Sequence, residues 1–196
     1  FIADDLNGDG LIDIVALTSQ NDATKNYNWA PWDILVYIQQ KDGSFNIDRT
    51  YFEYNINNPR KGNWKKYFIY FDFNGDGFSD YIVSSSASTF VVLNTTTTVG
   101  SSSTSFSQSS DFGFGANNIR MADIDNDGDI DVLVQKNNTN LRVLTNNGSG
   151  SFTASTVSLN SSGVQLADYD GDGLLDIISY TGSVLNFHNL CSMSRG

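Results

Sequence analysis

Four acid-rich segments of the sequence have the residue types and the spacing of an oxygen-ligated metal site. Each follows the nine-residue pattern D-x-[DN]-x-D-G-x-x-D, and the four first acids are 67, 51 and 45 residues apart along the chain. If the chain turns tightly at the glycine of position 6, side chains at positions 1, 3, 5 and 9 and the carbonyl of position 7 can converge on one ion. The predicted ligands are Asp5, Asn7, Asp9, Leu11 and Asp13 in loop 1; Asp72, Asn74, Asp76, Phe78 and Asp80 in loop 2; Asp123, Asp125, Asp127, Asp129 and Asp131 in loop 3; and Asp168, Asp170, Asp172, Leu174 and Asp176 in loop 4.

The donor atoms of these loops favour calcium, and we predict about four bound ions. Calcium is a hard cation that takes roughly six to eight oxygen ligands, whereas zinc and copper select Cys and His, which the loops lack. Magnesium is the second choice because it requires a rigid octahedral site. Carboxylates crowded together repel one another by on the order of several kcal/mol in total, and a cation removes that repulsion.

The four loops differ from one another and from EF-hands. Loops 3 and 4 have Asp at position 3, whereas loops 1 and 2 have Asn7 and Asn74 there, so we predict tighter binding by loops 3 and 4. An EF-hand has a bidentate Glu at position 12 and flanking helices. Here position 12 is never Glu and the last acid is at position 9, which predicts short calcium loops in a β-strand context.

The overall composition excludes several classes of protein. The chain has 22 acidic and 11 basic residues and a net charge of −11, which disfavours nucleic acid as a partner. Glu53 is the only glutamate, and aspartate is a weak helix former, so helical bundles are disfavoured. The 39% of hydrophobic residues can build a core, and no apolar run is long enough to predict membrane insertion of this segment.

The segments around each loop predict the elements that position it. A short apolar strand enters every loop, and a second strand, rich in β-branched and apolar residues, leaves it. A third strand follows, and the turns at 41–45 and 147–152 indicate a fourth strand in two of the units. Units of about four antiparallel strands predict an all-β fold of β-propeller-type blades. The chain, 1–196, is thus predicted to be one repeat region with units at about 1–58, 59–111, 112–160 and 161–196.

The motif and its strand setting resemble the FG-GAP/VCBS repeats, which form the blades of integrin α-subunit propellers, of some fungal lectins and of many bacterial surface proteins. The resemblance covers the whole chain in four units, and the loops are its most specific part. It implies that each loop joins the first two strands of a blade and binds calcium. It also implies that the four units are either part of a larger propeller or a whole smaller assembly.

Two segments depart from this repeat. The insertion 19–32 contains Trp29 and Trp32, and the link to the second unit contains Trp64 within a basic cluster, 60–66. Each Trp is predicted either to contact a sugar or protein ligand or to pack over the propeller. A run rich in Ser and Thr, 95–110, is expected to be flexible and low in complexity.

The remaining features carry narrower expectations. The chain begins at Phe1, so we expect a piece of a longer protein. Cys191 is predicted to be a free thiol or to pair outside this segment, and His188 is predicted to be structural. Four sequons, relevant only in a secreted eukaryotic protein, are possible glycosylation sites. They are Asn94, Asn137, Asn147 and Asn160.

These features favour a function in binding. With one His, one Cys and one Glu, the chain is poorly supplied with catalytic groups, so we predict that it is not an enzyme. The preferred hypothesis is a secreted or cell-surface module for adhesion or carbohydrate binding, with a glycan or an extracellular protein as its partner. The alternatives are a self-assembling subunit of an extracellular fibre or surface assembly, and an accessory domain of a secreted hydrolase or lyase.

Overall fold

A computed structural model of the chain describes residues 1–19, 32–48, 67–84, 88–109, 111–137, 140–159 and 161–189. Within these ranges the secondary structure consists of β-strands, and no helix is long and apolar enough to cross a membrane. The strands are β1 (Ile2–Asp4), β2 (Asp13–Ser19), β3 (Trp32–Gln39), β4 (Phe45–Asp48), β5 (Tyr67–Phe71), β6 (Asp80–Ser84), β7 (Thr89–Asn94), β8 (Phe106–Gln108), β9 (Asn118–Ala122), β10 (Asp131–Asn137), β11 (Asn140–Asn146), β12 (Phe152–Ser158), β13 (Gly163–Ala167), β14 (Asp176–Thr181) and β15 (Val184–Asn189).

The strands form four antiparallel sheets, each made of consecutive strands in sequence order. We call these sheets blade 1 (β1–β4), blade 2 (β5–β8), blade 3 (β9–β12) and blade 4, for which three strands (β13–β15) are described. The predicted all-β architecture of four-stranded blades is thus confirmed. In every blade the metal loop connects the first strand to the second, so that the two strands that it joins are hydrogen-bonded neighbours, for example with Asp4 opposite Asp13.

Three apolar layers separate the four blades. Because side chains alternate between the two faces of a strand, both faces of an inner blade are apolar and buried. Val15 of blade 1 packs in one layer with Tyr81 of blade 2, and Leu133 of blade 3 packs in another with Ile177 of blade 4. The middle layer contains Phe73, Ile82, Val91, Phe114, Ala116, Val132, Val134 and Leu144.

The Ser/Thr-rich run of blade 2 connects β7 to β8 and contains hydrogen bonds that close it into a loop. The Thr95 N–H donates to the Ser105 carbonyl at 2.7 Å, and the Ser105 N–H donates to Thr96 Oγ1 at 3.1 Å. Thr96 and Thr104 are buried. Hydroxyl side chains therefore close this loop by bonding the backbone, and the expected flexibility of the run stays a prediction.

Candidate metal centres

Each metal loop contains two residues in the left-handed region of backbone conformation. Position 6 is glycine in all four loops, with φ from 83° to 97°. Position 4 also has positive φ, and it is glycine in three loops and Asn126, with φ 61°, in loop 3. Asparagine adopts this conformation more readily than most residues with a side chain. Position 4 thus has a backbone requirement that the acid pattern alone did not identify.

The first acid of each loop accepts backbone N–H groups from the turn that surrounds it. In loop 1, Asp5 Oδ1 accepts from Asp9 N at 3.0 Å, and Asp5 Oδ2 accepts from Gly10 N at 2.8 Å. Loops 2 and 3 repeat both bonds, at 2.8–3.1 Å. In loop 4 the first acid accepts from positions 4 and 6, at 2.7 and 3.0 Å. Each oxygen keeps a second lone pair for an ion.

The last acid of each loop is buried at the start of the second strand of its blade. Its Oδ2 accepts the backbone N–H of position 2, at 2.9–3.0 Å in all four loops. In blades 1 to 3 its Oδ1 accepts a backbone N–H at the end of the third strand, from Gln39 at 2.8 Å, Asn94 at 2.7 Å and Asn146 at 2.8 Å. The side chain therefore ties three segments of the blade together, a role that its spacing did not predict.

Burial makes three of the position-9 carboxylates costly to ionise, those of Asp13, Asp80 and Asp131. It raises the pKa of Asp80 and the pKa of Asp131 to about 6, and it raises the pKa of Asp13 above its usual value. The backbone N–H groups oppose this shift, while the other acids of the same loop add to it. Because a nearby cation favours the ionised form, a bound cation would relieve this cost.

The acids of loops 3 and 4 converge as a metal site requires. In each of these loops one carboxylate oxygen from positions 1, 3 and 9 lies within 4.8 Å of the other two. Two ligands on opposite sides of a calcium ion are about 5 Å apart, so three hard oxygen donors at this spacing fit such an ion. The structure thus brings together Asp123, Asp125 and Asp131 in loop 3, and Asp168, Asp170 and Asp176 in loop 4.

Positions 5 and 7 lie outside these three-acid groups. In loop 3, Asp127 Oδ1 accepts the N–H of Asp129 at 2.9 Å, and the same bond forms in the other loops at 2.8–2.9 Å. In loops 1 and 2 the Asn side chain of position 3 accepts the N–H of position 5, at 3.1 and 3.0 Å. In loops 1 and 2 the amide of position 3 and the carboxylate of position 5 therefore face the same turn.

The sequence repeats match a known family. Residues 72–134 and 123–179 each match the model of the FG-GAP-like repeat, and together they span more than half of the chain and contain loops 2, 3 and 4. The chain belongs to the FG-GAP-like repeat family. The resemblance inferred from the loops is confirmed.

The FG-GAP-like fold is also similar to that of a solved lectin from Agrocybe aegerita, a structure described as the basis of specific recognition of non-reducing terminal N-acetylglucosamine. The TM-score is 0.55 and the sequences are 23% identical, with 93% of this chain covered. The chain spans 46% of the lectin's length. This likeness shows the fold. No curated protein matches the chain.

The FG-GAP-like loops are attached to the apolar layers by position 2, which the acid pattern left undefined. Leu6, Phe73 and Ile124 occupy this position in loops 1 to 3, and all three are buried between blades. In loop 4, Tyr169 is 58% exposed and stacks on Phe187, with the ring centroids 3.8 Å apart. An apolar residue between the acid of position 1 and the Asp or Asn of position 3 was the sequence signal for this anchor.

The predicted ligand contacts fall largely outside the described residues. Trp29, Trp64, the basic cluster 60–66 and Cys191 lie there, and Trp32 is described only as the first residue of β3, opposite Ser19. His188 Nε2 is 3.1 Å from the Ser179 hydroxyl, a contact between adjacent strands of blade 4.

The four sequons differ in accessibility. Asn94 is fully buried and its Nδ2 donates to a backbone carbonyl, so the prediction of a glycan at Asn94 is wrong for the folded chain. Asn147 is exposed in the turn between β11 and β12, and a glycan there stays a prediction. The backbone of Asn137 belongs to β10, and Asn160 lies outside the described residues.

A cleft of about 390 Å³ lies between blades 1 and 2, beside loop 1. The turn after β3 contributes Gln40, Lys41 and Asp42 to its wall, and the β7–β8 connection contributes Ser101 and Ser102. Asn7 and Asp9 of loop 1 complete one side. Sequence reasoning missed this cleft because its two walls are far apart in the chain.

Proposed function

We propose that this FG-GAP-like chain is a non-enzymatic, calcium-binding module that binds carbohydrate outside the cell. Calcium would hold the first two strands of each blade together. The observation that carries the proposal is the convergence of three carboxylates in loop 3 and again in loop 4, within a fold shared with a lectin.

The role of calcium is supported by the electrostatics of the loops. The position-9 acids are buried, and every loop places them near two or three further acids or amides. A cation offsets both the burial and the mutual repulsion of these groups. At millimolar calcium, a site with a dissociation constant of about 0.1 mM adds roughly 1.4 kcal/mol to stability. Such calcium concentrations are found outside cells, which supports a secreted or cell-surface location.

Carbohydrate is the partner that the cleft between blades 1 and 2 suits best. Its wall includes Gln40, Lys41, Asp42 and Ser102. Polar side chains of these types can bond a ligand that presents many hydroxyl groups. The lectin of similar fold recognises terminal N-acetylglucosamine, and by analogy this chain would bind a glycan. Stacking of the ligand on Trp29, Trp32 or Trp64 stays a prediction.

A second candidate function, a subunit of an extracellular assembly, is favoured by the outer face of blade 4. Ile178 and Phe187 are opposite each other on this face, as are Tyr180 and Leu185. Tyr180, Leu185 and Phe187 are exposed. The residues at the place of Ile178 in the other blades are buried against the next blade; these are Val15, Ile82 and Leu133. Either a further blade of a larger propeller or a blade from another chain would cover this face, and the second case gives an assembly.

Thermal melting and a glycan array, each with calcium and after its removal, test the proposal. We expect a higher Tm with calcium and binding of specific glycans. Lys41→Ala with Ser102→Ala should abolish glycan binding, whereas the matched pair Lys136→Ala with Ser155→Ala, which lies away from the cleft, should not. Equal melting temperatures would refute the calcium role. Absence of glycan binding combined with concentration-dependent assembly would favour the second candidate.

A further inference from the structure

In two successive blade pairs, an asparagine at the end of a third strand reaches back to the metal loop of the preceding blade. Asn94, the last residue of β7, donates from Nδ2 to the Leu6 carbonyl at 2.9 Å. Asn146, the last residue of β11, donates from Nδ2 to the Phe73 carbonyl at 2.8 Å. Leu6 and Phe73 both occupy position 2 of their loops, so the same contact is made twice.

In both asparagines the side-chain oxygen is hydrogen-bonded as well as the side-chain nitrogen. Both are buried, and the Oδ1 atom of Asn94 accepts the Thr96 N–H at 3.0 Å. The Oδ1 atom of Asn146 accepts the Asn147 N–H at 2.9 Å. Because a buried polar group without a partner is costly, these bonds leave each amide with one orientation.

The backbone of each asparagine is bonded to the metal loop of its own blade. Asn94 N–H donates to Asp80 Oδ1 at 2.7 Å, and Asp80 Oδ2 accepts the Phe73 N–H at 2.9 Å. Asn146 N–H donates to Asp131 Oδ1 at 2.8 Å. A continuous series of buried hydrogen bonds therefore connects loops 1, 2 and 3. It runs through Leu6, Asn94, Asp80, Phe73, Asn146, Asp131 and Ile124.

We propose that Asn94 and Asn146 are positioning residues that couple the metal loops of adjacent blades, so that an ion in one loop raises the affinity of the next. This inference rests on the proposed calcium binding. An ion fixes the position-9 acid and position 2 of its loop, and the asparagine transmits that order to the neighbouring loop. The neighbour then loses less conformational freedom when it binds its own ion. The coupling is reciprocal, because each ion affects the other by the same factor.

Site-specific calcium titration of the full chain by amide NMR provides the readout. The N–H groups of Gly10 and Gly77 donate to the position-1 acids of loops 1 and 2, so each reports the occupancy of one loop. Asp76→Ala disables loop 2 without touching loop 1. We expect this change to weaken calcium binding at loop 1 by about fivefold or more in the otherwise unchanged chain.

The same measurement is then made in the Asn94→Ala background. Disabling loop 2 should there change the calcium affinity of loop 1 much less, because the connection through Asn94 is broken, although Ser79 of loop 2 still donates to Asp4 beside loop 1. Val92→Ala is the matched control. Val92 is two residues before Asn94 and is buried in the apolar layer between blades 1 and 2, so the variant loses a buried side chain but keeps the Asn94 amide. Coupling should survive in Val92→Ala. A merely structural role of Asn94 would affect both variants alike, and loss of coupling in both would overturn the proposal.

Blades 2 and 3 allow the same experiment to be repeated independently. There Asn146→Ala is the test variant and Leu144→Ala is its control, and the N–H group of Gly128 reports the occupancy of loop 3. If Asn94→Ala does not fold, Asp76→Ala still tests the proposal. An unchanged calcium affinity at loop 1 would show that the loops are independent and would overturn the coupling. If the unchanged chain binds calcium at independent loops, the coupling alone is wrong. If it binds no calcium, the proposed function is wrong as well.

Discussion

The side-chain amide of Asn7 donates a hydrogen bond to the backbone carbonyl of Ser101, 94 residues later in the chain, at 2.7 Å. The Gly100 N–H returns a bond of 2.7 Å to the Asn7 carbonyl. The β7–β8 connection of blade 2 therefore lies directly over loop 1. At position 3, Asn7 thus also donates a hydrogen bond to blade 2. An Asp could not donate this bond, because a carboxylate has no N–H group.

Asn7→Asp and Asn74→Asp should have different consequences, although each adds a carboxylate at position 3. Among the residues that the structure describes, Asn74 donates only within its loop, to Asp76 at 3.0 Å, so Asn74→Asp should raise calcium affinity at loop 2 several-fold. Asn7→Asp turns a carboxylate toward the Ser101 carbonyl, which should cost about 1–3 kcal/mol of stability in the calcium-free protein. Calorimetric titration and melting curves measure both effects, and equal behaviour of the two variants would contradict this explanation.

Asp125→Asn should weaken calcium binding at loop 3 by about tenfold, because it removes an ionised ligand from the three-acid group. Asp129→Asn is the matched control, since it removes the same charge from position 7 of the same loop without removing a member of that group. We expect the control to change the affinity of loop 3 much less. A similar loss in both variants would mean that net charge, not ligation, sets the affinity.

Gly150→Ala should destabilise the contact between blades 2 and 3. A Cβ at Gly150 would lie 2.6 Å from the Leu93 side chain of blade 2, and φ there is +73°. Gly43 occupies the matching place in the turn of blade 1, where φ is +83° and a Cβ would meet nothing within 4 Å. We expect Gly150→Ala to cost about 1 kcal/mol more than Gly43→Ala in chemical denaturation. Equal costs would show that backbone strain is the whole effect.

Tyr81→Phe should leave stability unchanged or raise it by about 1 kcal/mol. The ring is buried between blades 1 and 2 and stacks on Phe68, with the centroids 5.1 Å apart. Within the described part of the chain its hydroxyl has no hydrogen-bond partner. Phe keeps the ring contacts and removes the unpaired hydroxyl. Tyr169→Phe, which changes an exposed tyrosine, serves as the control, and a clear destabilisation by Tyr81→Phe would reveal a partner for the hydroxyl.

The local parts of this fold could be predicted from the sequence, because each is specified within a few residues. The acids of a loop, the glycine at position 6 and the alternating strands are adjacent in the chain. Contacts between blades could not be predicted in the same way. Asn94 and Leu6 are 88 residues apart. The strand pattern does not reveal that Asn94 is buried, and in the sequence it looks like an exposed glycosylation site. The contacts of the Ser/Thr run could not be predicted for the same reason, since they involve Asn7 and hydroxyl groups that bond the backbone.

The stability of the calcium-free protein should decrease as the pH rises from about 4 to about 6.5. Burial raises the pKa of Asp80 and the pKa of Asp131 to about 6 in the folded chain, above the usual value of 3.8. Between these two values the folded state binds more protons than the unfolded state, so rising pH favours unfolding. Above the folded pKa both states are ionised and the loss is complete. With millimolar calcium the trend should reverse, because protons compete with the ion for the same oxygens.

Melting temperatures across this pH range, with calcium and in metal-free buffer, measure the two trends. Asp80→Asn should flatten the metal-free curve, since it removes one of the titrating carboxylates. Asp111→Asn removes an exposed carboxylate outside the loops and is the charge-matched control. A metal-free curve that rises with pH would show that the buried acids are ionised at little cost, and the electrostatic reason for calcium binding would then fail.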